Sequence, residues 1–125
     1  MKVFLSLLAI IICTNVYAIK KVKTHPLVYQ STTTESGLAI LPTGDKKTFQ
    51  ATGYVATGTG AATIGVNVSN DGTNFIEVDE LSLTLGTAVV SDYYINNDPW
   101  KYIKGIVKTI TGSVAQVSLT VGTDQ

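Results

Sequence analysis

Residues 66–78 read VNVSNDGTNFIEV, which is an alternating stretch, a polar turn and a second stretch rich in β-branched residues. Asn, Asp and Gly tolerate the positive φ angles that hairpin turns require, and β-branched side chains favour a pleated strand. The sequence therefore predicts a β-hairpin whose turn lies at residues 70–72.

The rest of the chain repeats this pattern, with Gly, Thr and Asn clusters between short stretches of alternating hydrophobicity. Such spacing is typical of an all-β sandwich or barrel. We predict one antiparallel β-sandwich, jelly-roll or Ig-like, over residues 46–125. Residues 46–56 form a further predicted strand with Phe49 and Ala51 on one face. The predicted core residues are Ala62, Ile64, Val66, Val68, Leu81, Leu83, Leu85, Trp100, Tyr102, Ile106, Val117, Leu119 and Val121.

Residues 100–110 contain the only segment after residue 18 with apolar residues near helical spacing. β-Branched residues fill this segment, and Gly105 lies in its middle, and both features disfavour a helix. We therefore predict a strand here.

Residues 1–18 have the anatomy of a signal peptide: Lys2, an apolar run from Val3 to Cys13, and small residues before a cleavage point after Ala18. Cleavage predicts a secreted or periplasmic protein that begins at Ile19, and only retention of residues 1–18 would bring it to a membrane. Residues 19–45, which are polar and threonine-rich, are interpreted as an extended arm with a short strand at residues 27–30.

Charge and composition argue against a nucleic-acid-binding protein. The nine basic residues balance nine acidic ones, and every basic residue is lysine. Without arginine the chain lacks the bidentate fork that recognises phosphates and guanine.

Side chains that support catalysis or metal binding are sparse. His25 is the only histidine, Cys13 lies in the leader, and no Gly-x-Ser-x-Gly motif is present. The acidic residues Glu77, Asp79 and Glu80 are interpreted as a solvated strand end, because neighbouring residues in a strand point to opposite faces. The sequence predicts a protein that is not an enzyme and uses no cofactor or metal.

Aromatic residues concentrate near residue 100. Tyr93, Tyr94, Asn97 and Trp100 combine flat rings with an amide, the groups that bind sugars by stacking and hydrogen bonding. The alternative is that Trp100 fills the core, and the sequence leaves both interpretations open.

Three segments carry a family resemblance: residues 69–75 (SNDGTNF), 98–104 (DPWKYIK) and 111–117 (TGSVAQV). In this order they resemble motifs of small β-sandwich proteins of tailed-phage virions, over residues 46–122. Phe75 stands where those proteins usually have tryptophan, and Lys104 where they usually have arginine.

This resemblance implies a non-enzymatic virion protein, either a capsid decoration or a head or tail accessory subunit. Its partners would be further copies of itself or capsid or tail proteins, contacted through sheet edges and the arm. The same turn is similar to that of discoidin-type sugar-binding domains, so the alternative is an exported carbohydrate-binding or adhesion module with a glycan as its ligand.

Overall fold

The computed structural model describes residues 22–42 and 46–124. The predicted leader at residues 1–18 and the first residues of the predicted arm lie outside this part of the chain. The described residues form strands and connections without a helix, and thus no helix long and apolar enough to cross a membrane.

Strands account for most of the described residues. In chain order they are β1 (Val22–Ser31), β2 (Glu35–Ser36), β3 (Lys47–Tyr54), β4 (Thr57–Ser69), β5 (Ile76–Leu85), β6 (Val90–Asn96), β7 (Tyr102–Ser113) and β8 (Gln116–Asp124).

The strands form two four-stranded sheets in which neighbouring strands are antiparallel. Sheet A has the order β1-β8-β3-β6, and sheet B has the order β2-β7-β4-β5. The predicted β-sandwich is confirmed, and β4 and β5 form the hairpin predicted at residues 66–78. The segment interpreted as an arm contributes a full edge strand, β1, which pairs with β8 and buries Leu27 and Val28.

The core lies between the sheets and consists of the inward-facing residues of both. The predicted core positions on β4, β5 and β8 are buried, as are Phe49 and Ala51, which share one face of β3. Alternation explains this result, because every second side chain of a strand faces the opposite sheet.

The predicted core face of β7 is wrong. Trp100 lies before the strand, and Tyr102 and Ile106 are only half-buried, whereas Ile103 and Val107 are fully buried. Both faces of this strand carry apolar residues, so hydrophobicity alone does not choose between them. Pairing with β4 determines which face of β7 is buried, because Ile103 pairs with Val68, and Val107 with Ile64, on the inner side of β4. The prediction of a strand over this segment is confirmed.

Candidate functional site

The outer side of sheet A is an uncharged surface, which we call the sheet A face. Its side chains alternate with the buried residues of the same strands, and the register places them in rows across the sheet. They belong to Thr24, Pro26, Thr48, Gln50, Thr52, Tyr54, Ser91, Tyr93, Ile95, Gln116, Ser118 and Thr120, and the backbone of Gly122 lies between Thr24 and Thr48. Charges flank this surface at one end, where Asp124 accepts a hydrogen bond from the Lys46 N–H at 3.3 Å.

Two depressions lie on this side of sheet A. One of about 370 Å³ is lined by Thr48, Phe49, Gln50, Ser91, Asp92 and Tyr93. The other, of about 180 Å³, is lined by Gln30, Thr52, Gly53, Tyr54, Val89, Gln116 and Ser118. They adjoin where Thr52 pairs with Ser91. The lining offers hydroxyl, amide and aromatic groups and the Asp92 carboxylate, which bind a ligand by hydrogen bonds and ring contacts.

Some of these polar groups are already held in place by each other. The Ser118 hydroxyl accepts a hydrogen bond from the Gln30 N–H at 2.9 Å, and the Tyr54 hydroxyl donates to the Gln116 side-chain carbonyl. Both contacts fix the orientation of donors and acceptors at the smaller depression, so a partner meets a partly preorganised surface.

The residues predicted to bind a sugar do not form one site. Tyr93 is 72% exposed on the sheet A face, whereas Tyr94 points inward, and its ring centroid lies 6.0 Å from that of Phe49. Asn97 is exposed beyond the end of β6. Trp100 packs against the core, and its indole N–H is buried without a hydrogen-bond partner. One sugar ring therefore cannot stack on both tyrosines, and Tyr93 alone faces a depression.

The acidic residues of β5 lie on different sides of sheet B. Glu77 and Glu80 are opposite Asn67 and Gly65, and both bind the Lys108 ammonium, Glu77 at 3.2 Å. The hydrogen bonds that Lys108 donates to Glu80 and Glu77 raise the pKa of Lys108 above its usual value. Asp79 pairs with Val66, one residue out of phase with Glu80. Two of the three carboxylates therefore belong to a surface ion-pair cluster.

The SNDG turn is organised by the Asp71 carboxylate. It accepts hydrogen bonds from the Asn74 side chain at 2.9 Å, the N–H groups of Asn74 and Thr73 at 2.7 and 2.8 Å, and the Ser69 hydroxyl at 2.8 Å. These bonds hold the pKa of Asp71 well below its usual value, and the bond from the Asn74 side chain has the largest effect. The ionised form is favoured by folding, so this stabilisation is present above about pH 4 and is lost only as the pH falls toward the lowered pKa.

The turn also contacts the start of β7, which joins two of the motifs that carry the family resemblance. Gly72 has φ +77°, and a Cβ at this position would lie 3.1 Å from the Tyr102 ring. Asn70 accepts a hydrogen bond from the Lys101 N–H at 3.2 Å. Only a residue without a side chain tolerates both this φ angle and this close approach. These motif residues therefore hold two connections together at one end of sheet B.

Phe75 and Lys104, the two departures from the family pattern, contact each other. The Lys104 ammonium lies 4.1 Å from the Phe75 ring centroid, which is a cation–π geometry. Tryptophan and arginine at these positions would form the same kind of contact with a larger π face and a planar cation.

We expect the double variant Phe75→Trp/Lys104→Arg to raise the free energy of unfolding by about 0.5–1 kcal/mol beyond the sum of the single changes. Urea denaturation of the four proteins of this double-mutant cycle measures the coupling. Lys101→Arg is the control, because Lys101 lies farther from its ring, at 5.5 Å from the Tyr102 centroid. Strictly additive single effects would show that the Phe75–Lys104 contact is not energetically coupled.

Comparison with known proteins gives matches of fold only. No protein family and no curated protein sequence matches this chain. The SPBc2 prophage-derived protein YomS is similar in structure, with a TM-score of 0.56 and 9% identity over 88% of this chain and 98% of YomS. The expected resemblance to phage β-sandwich proteins is therefore confirmed at the level of the fold.

Two further solved structures align with lower scores. The PBSX exported protein XepA gives a TM-score of 0.44 and 10% identity over 84% of this chain, which spans 36% of the length of XepA. A Bacillus endospore appendage protein, from disulfide-linked pili, gives a TM-score of 0.41 and 15% identity over 86% of this chain and 91% of that protein.

Proposed function

We propose that this protein is a non-enzymatic structural subunit of a phage-type particle that docks on protein neighbours through the sheet A face. The uncharged character of that face carries the proposal. None of its outward-pointing side chains is an ion that has to lose its hydration when a partner covers it, and burying an unpaired charge is costly. The Asp92 carboxylate, which borders the larger depression, already accepts a hydrogen bond from the Tyr93 N–H. Tyrosine, serine and threonine side chains also provide contact area and adaptable hydrogen bonds at small entropic cost.

The phage context of the proposal draws on the likeness to a prophage-derived protein of nearly the same length. The specific role that we propose is capsid decoration or that of a head or tail accessory subunit. Its neighbours would be capsid or tail proteins, and its location would be the virion. The non-enzymatic part is supported by Asp71, Glu77 and Glu80, whose carboxylates already bind groups of the protein itself.

The decisive experiment asks whether the protein enters particles and whether the sheet A face is needed. We expect quantitative mass spectrometry of purified particles to find the wild-type chain and to find Thr52→Lys reduced at least tenfold, because the new charge lies between the two depressions. Thr84→Lys is the matched control: it is an exposed threonine of β5 on the outer side of sheet B. Absence of the wild-type chain, or equal incorporation of both variants, would overturn the proposal.

The second candidate is an exported carbohydrate-binding or adhesion module. Tyr93 favours it, because its exposed ring borders the larger depression beside the polar side chains of Gln50 and Ser91. Glycan-array binding that is lost in Tyr93→Ala, by a protein whose mature chain begins at Ile19, would favour this candidate over the particle subunit.

A further inference from the structure

The four edge strands of the sandwich differ in how they resist pairing with another chain. β1 contains Pro26 and two register irregularities, and β2 has only two residues. β5 carries three carboxylates and an irregularity opposite β4. Proline, bulges, short length and charge are the features that keep an edge from pairing. β6 has neither proline nor lysine, its one charged residue is Asp92, and its register with β3 is unbroken over seven residues.

The backbone of β6 directs the Tyr93 N–H toward the open edge. Pro26, Thr120, Gln50 and Tyr93 form one row across sheet A. Hydrogen-bonded and non-hydrogen-bonded pairs alternate across an antiparallel sheet, and a proline takes an outward-facing position because it has no N–H. Pro26 faces the open edge of β1, so Pro26–Thr120 is a non-hydrogen-bonded pair. Thr120–Gln50 is then a hydrogen-bonded pair, and Gln50–Tyr93 is again a non-hydrogen-bonded pair. The Tyr93 N–H and C=O therefore point away from β3.

The contacts of Tyr93 agree with this assignment. Its N–H donates to its neighbour's carboxylate, Asp92 Oδ1, at 2.9 Å. Among residues 22–42 and 46–124, no strand pairs with this side of β6. The Asp92 side chain therefore occupies the place that a carbonyl group of an incoming strand would take.

We propose that β6 pairs antiparallel with β6 of a second copy of this chain, with Tyr93 on the two-fold axis, so that the two A sheets form one eight-stranded sheet. This inference rests on the proposed structural role and specifies a first partner. In this register Tyr93 faces Tyr93 of the second copy, Ser91 faces its Ile95, and Asp92 faces its Tyr94.

Self-complementarity is the reason for choosing a second copy as the partner. No two like charges stand directly opposite in this register, and an aromatic pair lies at its centre, a combination that stabilises adjacent strands. Seven residues with this symmetry match the isologous contact of a two-fold dimer. Sheet B does not compete, because a β5–β5 contact would bring the carboxylates of two copies together.

Analytical ultracentrifugation of the full chain over a concentration series tests the proposal. We expect wild type to dimerise, and Tyr93→Lys and Tyr93→Glu each to weaken dimerisation at least tenfold, because each places two like charges on the axis. An equimolar mixture of these two variants should regain the dimer, since lysine then faces glutamate. Tyr93 is exposed, so neither change removes a core contact, and circular dichroism verifies folding.

Two further variants test whether dimerisation depends on the open edge of β6 and not on other parts of the surface. Asp92→Ala should tighten the dimer, because it removes the side chain that bonds the Tyr93 N–H in the free chain. Thr84→Lys on β5 should leave dimerisation unchanged. A monomeric wild type, or a Tyr93→Lys variant that dimerises like wild type, would overturn the inference. A wild type that is monomeric in solution yet present in purified particles would overturn the β6 dimer and leave the proposed function standing.

Discussion

Replacing Phe49 with alanine should lower the free energy of unfolding by about 3–5 kcal/mol. The Phe49 side chain is fully buried in β3, between β8 and β6, and contacts the ring of Tyr94. Alanine would remove the ring and leave a cavity that neighbouring strands, fixed by their ladders, fill only in part. Since domains of this size are stable by about 5–15 kcal/mol, the loss is a large share of the total.

Urea denaturation followed by the fluorescence of the single tryptophan, Trp100, measures this change. Gln50→Ala is the matched control, because Gln50 is the next residue of the same strand and points to the exposed face. Its effect should stay within about 0.5 kcal/mol. If both variants unfolded at the same urea concentration as wild type, the assignment of Phe49 to the centre of the core would be contradicted.

Gly60→Ala should also destabilise the protein strongly, by about 2–3 kcal/mol or more. A Cβ at Gly60 would lie 2.1 Å from the carbonyl oxygen of Thr111 and 3.0 Å from the Cα of Gly112. Both are backbone atoms of the β7 strand, so no side-chain rotation relieves the overlap, and β4 and β7 would have to separate.

Gly86→Ala provides the comparison for this second change. A Cβ at Gly86 meets no atom within 4 Å, and its φ lies outside the left-handed region. It should leave stability unchanged or raise it by about 0.4–1 kcal/mol, because alanine restricts the unfolded chain. Thermal denaturation of the two variants measures the difference, and equal melting temperatures would show that β4 and β7 are not in close contact at Gly60.

The sequence predicted best those elements whose structure is determined by residues close together in the chain. Alternation placed Ile64, Leu83 and Leu119 in the core, and the SNDG turn located the β4–β5 hairpin, because turn chemistry and period-two hydrophobicity act between near neighbours. β7 carries apolar residues on both faces, so its pairing with β4 determines which face is buried. The sequence pattern of β7 alone does not contain this information.

The sheet A face was beyond prediction for a related reason. Gln50 and Thr120 are 70 residues apart in sequence but are direct partners across β3 and β8. The polar positions that alternate with Phe49, Ala51, Leu119 and Val121 were a usable signal for outward-facing residues. Joining them into one surface required the strand order. Tyr93 and Tyr94 were grouped because they are consecutive, whereas in a strand consecutive side chains point apart.

The position of β8 in sheet A affects the order in which the chain folds. β8 is the last strand of the described residues, yet it lies inside sheet A, where it pairs with β1 on one side and β3 on the other. During synthesis the β4–β5 hairpin can assemble early, whereas β1 and β3 have no common neighbour until β8 leaves the ribosome. Such distant pairings slow folding. Sheet A therefore remains two separate pieces until β8 has been synthesised and can join β1 to β3.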